Sequence, residues 1–249
     1  MSRLNVMVLL VGLIVLGIAF GAYAQVPAAA PAAGQAPAAA RAPAAPPVRP
    51  ALFFREDWQQ TPANDEHPAT QQSVGNPKLE LKTYGPSAKE WLLTGTKENA
   101  QNPTHLWNGM CALSCFMTLR DRTQNVDLSG QAKVRWVTKI SNFQRIHPVV
   151  KLADGNFYVG DYSGGSMTDW RQEEFFFSEL KWVKLDPARN VATGAVVAKV
   201  DLSNVEEFGW TDLMNSSGHG QGGWSDVATI ELYGKPVART AAAPTASKN

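Results

Sequence analysis

The chain has 249 residues, with 23 Lys and Arg against 22 Asp and Glu, which gives a formal net charge of +1. Because positive and negative charges are nearly equal in number, the chain offers no strongly basic surface to a polyanion. We therefore expect no nucleic-acid partner. Hydrophobic residues make up 44% of the chain, which is enough to bury a sizeable core.

The N-terminus predicts export. Arg3 precedes an apolar run at residues 6–20, and Ala22 and Ala24 supply the small side chains that a signal peptidase accepts. The run is shorter than the roughly twenty residues that span a bilayer as a helix. We therefore interpret residues 1–24 as a signal peptide, with an uncleaved anchor as the alternative. The mature protein is expected to be periplasmic or secreted and free of the membrane.

Residues 25–50 predict a disordered linker. Ala and Pro dominate this segment, and repeated Pro removes amide donors and blocks any long Ala helix. Residues 240–249 have a similar bias and are predicted to be a disordered tail. One folded domain is left at residues 51–239, a length in the range of a single β domain.

Cys111 and Cys115 are the two cysteines of the chain. On a regular strand their Cα atoms would lie about 13 Å apart, well beyond the roughly 4.4–6.8 Å that a disulfide tolerates. A bridge therefore requires a tight turn at residues 112–114. An oxidising compartment favours that bridge over two buried thiols, and two cysteines without a histidine cluster do not make a zinc site.

Several segments between residues 78 and 234 alternate with the period of two that is typical of half-buried strands. In residues 132–140 one predicted face carries Ala132, Val134, Trp136, Thr138 and Ile140. In residues 226–234 one predicted face carries Ala228, Ile230 and Leu232. The opposite face carries Val227, Thr229, Glu231 and Tyr233. Residues 174–185 also fit a single strand. We predict about nine or ten strands in an all-β, antiparallel jelly-roll β-sandwich.

Three segments resemble a known group of proteins. They are "VDLSGQAKVRWVTK" at residues 126–139, "DLSNVEEFGW" at residues 201–210 and "WSDVATIELYG" at residues 224–234. They look like the strand-entry and closing motifs of galactose-binding-domain-like jelly rolls, with carbohydrate-binding modules and the complex I intermediate-associated protein family as the nearest groups. In each D-L-S turn, Asp127 or Asp201 is expected to cap the turn while the following Leu enters the core.

The resemblance also implies a possible structural calcium ion, and no other cofactor is expected. The resembling sugar-binding modules often hold calcium between their first and last strands. In this sequence Glu56, Asp57 and either Asp226 or Glu231 offer oxygen ligands in comparable places.

Residues 160–177 are predicted to begin with a long loop that could bind a sugar. Flat aromatic rings and multidentate polar groups are typical of sugar sites, and this loop offers Asp161, Tyr162, Trp170 and Arg171. The alternative is that Trp170 is a lid over the end of the sandwich, while Arg171 pairs with a neighbouring carboxylate.

The stretch "SSGHGQGGW" at residues 216–224 raises a second possibility. A phosphate cradle needs a helix after its glycines, whereas a strand follows here, so nucleotide binding is not expected. The stretch is either a surface loop or a pocket rim that uses His219 and Trp224. Among the other tryptophans, Trp107 and Trp170 are predicted to be exposed beside turns. The predicted core tryptophans are Trp136, Trp182 and Trp210.

A row of basic side chains on residues 133–139 is the third candidate. Such a row is typical of a solvated face. If the sheet is concave, however, Arg135 would face a ligand beside His147 and Lys151.

Taken together, the sequence favours an exported, monomeric domain that binds a carbohydrate or related polar ligand without catalysis. One alternative is a sugar-active hydrolase or lyase that uses the carboxylates of residues 161–174. The other is a structural or protein-interaction domain of the cell envelope. The chain contains no G-x-S-x-G, H-E-x-x-H or Cys–His signature of a named enzyme class.

Mass spectrometry of the exported protein is expected to find Gln25 at the mature N-terminus, because the small residues Ala22 and Ala24 place the cleavage site directly before it. Recovery of residues 1–20 in the exported chain would instead establish an uncleaved anchor.

Overall fold

The computed structural model describes residues 49–60, 66–215 and 223–239, apart from the side chain of Thr168. These ranges contain two 3-10 helices, Gln71–Ser73 and Phe177–Glu179, and no α-helix. None of their helices is long and apolar enough to cross a membrane. In chain order the strands are β1 (Leu52–Glu56), β2 (His67–Pro68), β3 (Leu79–Tyr84), β4 (Leu92–Thr94), β5 (His105–Trp107), β6 (Phe116–Asp121), β7 (Gln124–Asp127), β8 (Lys133–Ile140), β9 (His147–Leu152), β10 (Phe157–Gly160), β11 (Met167–Phe176), β12 (Trp182–Asp186), β13 (Val191–Val197), β14 (Val205–Thr211), β15 (Ser225–Tyr233) and β16 (Lys235–Ala238).

The strands form two antiparallel sheets. Sheet A has the order β11-β8-β15-β5-β4-β2. Strand β1 also pairs with β15, along the same edge of β15 as β5 but nearer the end of that strand. Sheet B has the order β13-β12-β10-β9-β14-β6-β3, with β7 paired to β14 and β16 paired to β7. Inner side chains of both sheets meet in one hydrophobic core. The arrangement is a jelly-roll β-sandwich, so the predicted fold is confirmed.

The core is built from the inner faces of alternating strands. On β8 the buried positions are Val134, Trp136, Thr138 and Ile140, and the residues between them are half-buried, which confirms the predicted faces. Trp136, Trp182 and Trp210 are also buried in this core, as predicted. Trp91 meets Trp210 edge to face at 5.7 Å between ring centroids. Large aromatic rings therefore supply much of the apolar area that holds the sheets together.

Both D-L-S turns form as predicted. Asp127 and Asp201 each accept a hydrogen bond from the amide two residues further on, at 2.8 and 3.0 Å respectively. The leucines Leu128 and Leu202 are buried, and the Leu128 amide donates to the Leu202 carbonyl. The two turns therefore hold each other at one end of the sandwich.

Two strand predictions are wrong in detail. Residues 174–185 do not form one strand, because the helix Phe177–Glu179 separates β11 in sheet A from β12 in sheet B. Val227 faces the core and not the outer side, because a bulge between Val227 and Thr229 shifts the alternation along β15.

A disulfide closes the segment before β6. Cys111 and Cys115 are bonded, with Cα atoms 6.0 Å apart, and the intervening residues bend as a bridge of this spacing requires. The Ser87 hydroxyl and the Glu90 carboxylate accept hydrogen bonds from two amides inside the bend.

Replacing Trp136 by Ala is expected to lower the free energy of unfolding by about 3–5 kcal/mol, because the fully buried indole leaves a cavity between the sheets. Urea denaturation of purified protein measures this change. The matched control is Phe143→Ala, which removes an aromatic ring that is 78% exposed and is expected to change stability by less than about 0.5 kcal/mol. Equal effects of the two substitutions would contradict the assignment of Trp136 to the core.

Candidate functional site

The outer face of sheet A, turned away from the core, carries a ladder of five charged side chains across four strands. They are Glu174 on β11, Arg135 on β8, Glu231 on β15, Arg55 on β1 and Asp57 just beyond it. Arg135 contacts Glu174 at 2.9 Å and Glu231 at 3.3 Å. Arg55 contacts Glu231 at 2.5 Å and Asp57 at 2.7 Å. Because the signs alternate, each side chain of this ion-pair ladder has a partner of opposite charge.

Arg135 is therefore held by two carboxylates. Its expected neighbours His147 and Lys151 lie on β9, which belongs to sheet B, so the prediction that Arg135 stands beside them is wrong. Lys151 instead pairs with Glu206 and Glu207 at 3.0 and 2.9 Å.

A cavity of about 210 Å³ opens at the other end of β15. We call it the Asp226 cavity, and its lining residues are Glu66, Thr94, Asn102, His105, Trp107, Lys139, Trp224 and Asp226. Strand pairing brings them together, because Asp226 on β15 lies opposite Lys139 on β8 and opposite Trp107 on β5. The cavity is smaller than the roughly 300–1,000 Å³ of pockets for drug-sized ligands, so it suits a group of about the size of one ring.

Asp226 is the buried acid of this cavity. Its Oδ2 atom accepts a hydrogen bond from the Trp224 indole at 3.2 Å, whereas no described residue donates to its buried Oδ1 atom. Burial raises the pKa of this carboxyl to about 8, against the opposing effect of the Lys139 charge. An unpaired buried acceptor is costly, and a ligand with hydrogen-bond donors would remove that cost.

His105 faces Asp226, with 3.9 Å between His105 Nε2 and Asp226 Oδ2. Its Nδ1 atom lies 2.6 Å from the Pro103 carbonyl, which can only accept, so the proton is on Nδ1. Burial lowers the pKa of His105 to about 4. At neutral pH the pair therefore holds one proton on the acid and a neutral imidazole beside it.

Trp170 covers His105 from the outside. The two rings meet edge to face, with centroids 4.9 Å apart, and the Trp170 indole donates to the Gln101 carbonyl at 3.2 Å. This contact ties the loop between β4 and β5 across the sheet. The prediction that Trp170 and Arg171 lie on a long loop is wrong, because β11 extends over Met167–Phe176. Charged residues are common on such an edge strand and obscure its alternation.

Two glycines allow the aromatic walls to form. At Gly109, an added Cβ would collide with the Trp107 indole, so the ring packs on bare backbone. At Gly223, φ is +88° and an added Cβ would meet the Ser141 carbonyl. The next residue, Trp224, is thus brought to the rim by a backbone conformation that favours glycine.

Asp212 anchors the strands behind the cavity. It is buried and accepts hydrogen bonds from the Asn108 side chain and, at 3.1 Å, from the Ser225 hydroxyl. Asn108 in turn accepts from the Ser225 amide at 2.7 Å. Burial raises the pKa of Asp212 to about 6. The residues that follow β5 and β14 are therefore fixed to each other and to the first residue of β15.

The other predicted ligand residues lie elsewhere. Asp161 accepts a hydrogen bond from the Lys181 amide at 2.9 Å and joins the end of β10 to the start of β12. Tyr162 stacks on Phe175 with ring centroids 4.0 Å apart and packs against the core. Arg171 is exposed and lies 3.5 Å from Glu173. His219 falls outside the described residues. Of the described members of the predicted set, Trp224 lines the cavity and Trp170 packs against the lining residue His105.

The predicted calcium ligands do not converge. Glu56 is buried and accepts hydrogen bonds from the amides of Trp58, Gly75 and Asn76, while Asp57 pairs with Arg55. Asp226 lies in its own cavity. Among the described residues, no group of three His, Cys, Asp or Glu side chains could hold a metal ion.

Sequence reasoning missed His105 and the burial of Trp107. Trp107 is 3% exposed, so its predicted exposure is wrong. Strand β5 has only three residues, too few to show a period of two. One signal was present: Trp224 and Asp226 are two residues apart on a predicted strand, and that spacing puts both side chains on one face.

No protein-family model and no curated protein matches the chain. Solved structures with a similar fold include a family 11 carbohydrate-binding module of a cellulosomal cellulase of Clostridium thermocellum, at 16% identity and a TM-score of 0.41, over 70% of this chain and 97% of that one. A family 11 module from Clostridium thermocellum in complex with a β-1,3-1,4-mixed-linked tetrasaccharide aligns at 15% identity and 0.39, over 72% and 100%. The exoplasmic/lumenal domain of VIP36 in its Ca2+/Man2-bound form aligns at 10% identity and 0.30, over 71% and 90%. Likenesses this distant carry no argument about function, and the fold stands on the strand pairing described above.

The Asp226–His105 pair predicts how stability depends on pH. In the unfolded chain Asp226 titrates at its ordinary pKa of 3.8 and His105 at 6.5. Between about pH 4 and 6.5 the two groups therefore bind one proton in either state: it is on Asp226 in the folded protein and on His105 in the unfolded chain. Between pH 6.5 and about 8 only the folded state keeps that proton. The free energy of unfolding is therefore expected to fall as pH rises through this window, by on the order of 2 kcal/mol.

Urea unfolding at a series of pH values measures this slope. In Asp226→Asn the decline above pH 6.5 is expected to vanish, and between about pH 4 and 6.5 the slope is expected to be more positive than in the wild type, because the His105 contribution is then no longer offset by Asp226. Asp154→Asn, which changes an exposed carboxylate in the turn after β9, is the control and should keep the decline. An unchanged slope in Asp226→Asn would show that another group carries it.

Proposed function

We propose that this chain binds carbohydrate at the Asp226 cavity and does so without catalysis. The observation that carries the proposal is the unpaired, buried Oδ1 atom of Asp226 at a cavity walled by Trp107 and Trp224. Sugar rings offer apolar faces to aromatic side chains and hydroxyl groups to polar ones. The Asp226 carboxyl group and the two indole rings supply both kinds of contact in a space that suits one ring.

The aromatic walls are rigid, which favours binding. The Trp224 indole is held by Asp226 and that of Trp170 by the Gln101 carbonyl, so little side-chain freedom is lost when a ligand arrives. The ion-pair ladder on the same face is internally satisfied. A ligand therefore gains more at the cavity than along the ladder, where it would have to compete with existing ion pairs.

A hydrolase is the second candidate, and one observation favours it. Asp226, whose pKa is raised to about 8, shares its cavity with the carboxylate of Glu66. A protonated acid next to a second carboxylate is the combination that glycosidases use. The carboxylates of residues 161–174 suit this role less well, because Asp161 joins β10 to β12 and Glu174 belongs to the ladder.

We also infer that the domain is exported and presented on a tether. The described chain enters the domain at Arg49 and Pro50, which lie beside Tyr233 at the end of β15. The Asp226 cavity is at the opposite end of that strand, where Ser225 begins it. A tether attached at residue 49 would therefore leave the cavity open to a large ligand.

A glycan array probed with the full chain tests the proposal, with product analysis of every glycan that binds. Trp224→Ala and Trp170→Ala are each expected to weaken binding by about 1–3 kcal/mol, the scale of losing a packed ring or a polar contact. The melting temperature is expected to change little in Trp170→Ala and to fall in Trp224→Ala, which removes a hydrogen bond to the buried Asp226 carboxyl group. Phe143→Ala removes an exposed ring outside the cavity lining and should leave affinity unchanged.

The outcomes separate the candidates. Cleaved products that disappear in Asp226→Asn would favour the hydrolase. Full affinity in both tryptophan variants would exclude the cavity as the site. Absence of binding to any glycan would favour the structural or protein-interaction alternative.

A further inference from the structure

We propose that the Asp226 cavity selects a neutral sugar unit by two adjacent hydroxyl groups, which lie between the Lys139 ammonium group and the Asp226 carboxyl group. This inference rests on the carbohydrate-binding function proposed above and names the class of sugar that the cavity takes.

The first observation is an ammonium group and a carboxyl group on neighbouring strands that form no ion pair with each other. Lys139 and Asp226 are directly opposite each other on β8 and β15, and both line the cavity. Within the described ranges, neither Asp226 nor any other carboxylate forms an ion pair with Lys139. The Oδ1 atom of Asp226 likewise receives no hydrogen bond from the described residues. Lys139 and Asp226 thus line one cavity without pairing with each other.

Neighbouring groups do not fill these two positions. The Nδ1 proton of His105 is donated to the Pro103 carbonyl, and its Nε2 atom faces Oδ2 and not Oδ1. The Trp224 indole is likewise committed to Oδ2. Glu66, the remaining charged residue of the cavity lining, is exposed.

Adjacent hydroxyl groups complement this arrangement. A hydroxyl both donates and accepts, so one can donate to the Asp226 carboxyl group while its neighbour accepts from the Lys139 ammonium group. A neutral sugar brings no charge of its own to either group. The carboxylate of a uronic acid would satisfy Lys139 but repel an ionised Asp226. The ammonium group of an amino sugar would satisfy Asp226 but repel Lys139.

The test compares three sets of glycans on one array: neutral hexose oligosaccharides, oligouronates and deacetylated amino-sugar oligomers. The full chain is expected to bind members of the neutral set. Lys139→Met and Asp226→Asn are each expected to weaken that binding at least about tenfold, because each removes a hydrogen bond to a charged group. Lys184→Met changes an exposed lysine on β12 of sheet B and serves as the matched control, with affinity unchanged.

A pH series on the bound glycan adds an independent measurement. Hydroxyl donors favour the ionised form of Asp226, so affinity for a neutral sugar is expected to rise from pH 6 towards the pKa of about 8. A uronate would prefer the protonated acid, and its affinity would fall over the same range. If Asp226→Asn does not fold, Lys139→Met still tests the inference. Lys139 is half-buried and forms no ion pair among the described residues, so its replacement is expected to leave the fold intact.

Three outcomes overturn the inference. Selective binding of oligouronates or of amino-sugar oligomers would leave the carbohydrate function standing and refute the neutral-diol assignment. Neutral binding that survives both cavity variants would place the sugar elsewhere. A failure to bind any of the three sets would refute the proposed function and this inference with it.

Discussion

Strand β15 is the constraint on which the described site depends. It pairs along one edge with β8, and along the other with β5 near its start and β1 near its end. Because both edges are occupied, side chains of β15 can point only into the core or onto the outer face of sheet A. The bulge at Val227–Thr229 sets which residues do so on each side of it. The Asp226 cavity lies at the start of β15, and the ion-pair ladder crosses β15 near its end.

Burial of Asp226 is the energetic cost of the arrangement. A carboxylate out of water needs partners, and the structure gives Asp226 the Trp224 indole and a neutral histidine at longer range. Glu207 shows the contrast in sheet B: it is equally buried but accepts hydrogen bonds from Tyr84 and Thr118 and pairs with Lys151. Glu207 is satisfied within the fold, whereas the Oδ1 atom of Asp226 has no hydrogen-bond partner among the described residues.

The sequence predicted the parts of the fold that rest on local pattern. Alternation in residues 132–140 identified β8 and its buried face, and the D-L-S motifs identified two capped turns, because both depend on neighbours in the chain. The cavity depends on contacts between distant segments. His105 lies on a three-residue strand, and Trp170 reaches it from β11, 65 positions later in the chain, so no local period could reveal their meeting.

The two ends of the outer face also show why a row of charges is a poor guide to a binding site. Arg135 stands out in the sequence, yet its guanidinium group is held by Glu174 and Glu231, and a ligand would have to displace them. Lys139 lies four residues further along β8 and on the same face. It lines the cavity and has no such partner in the described structure. A ligand gains most where the fold leaves a donor and an acceptor unmatched, since it then adds hydrogen bonds without breaking any. On this face that position is the gap between Lys139 and Asp226.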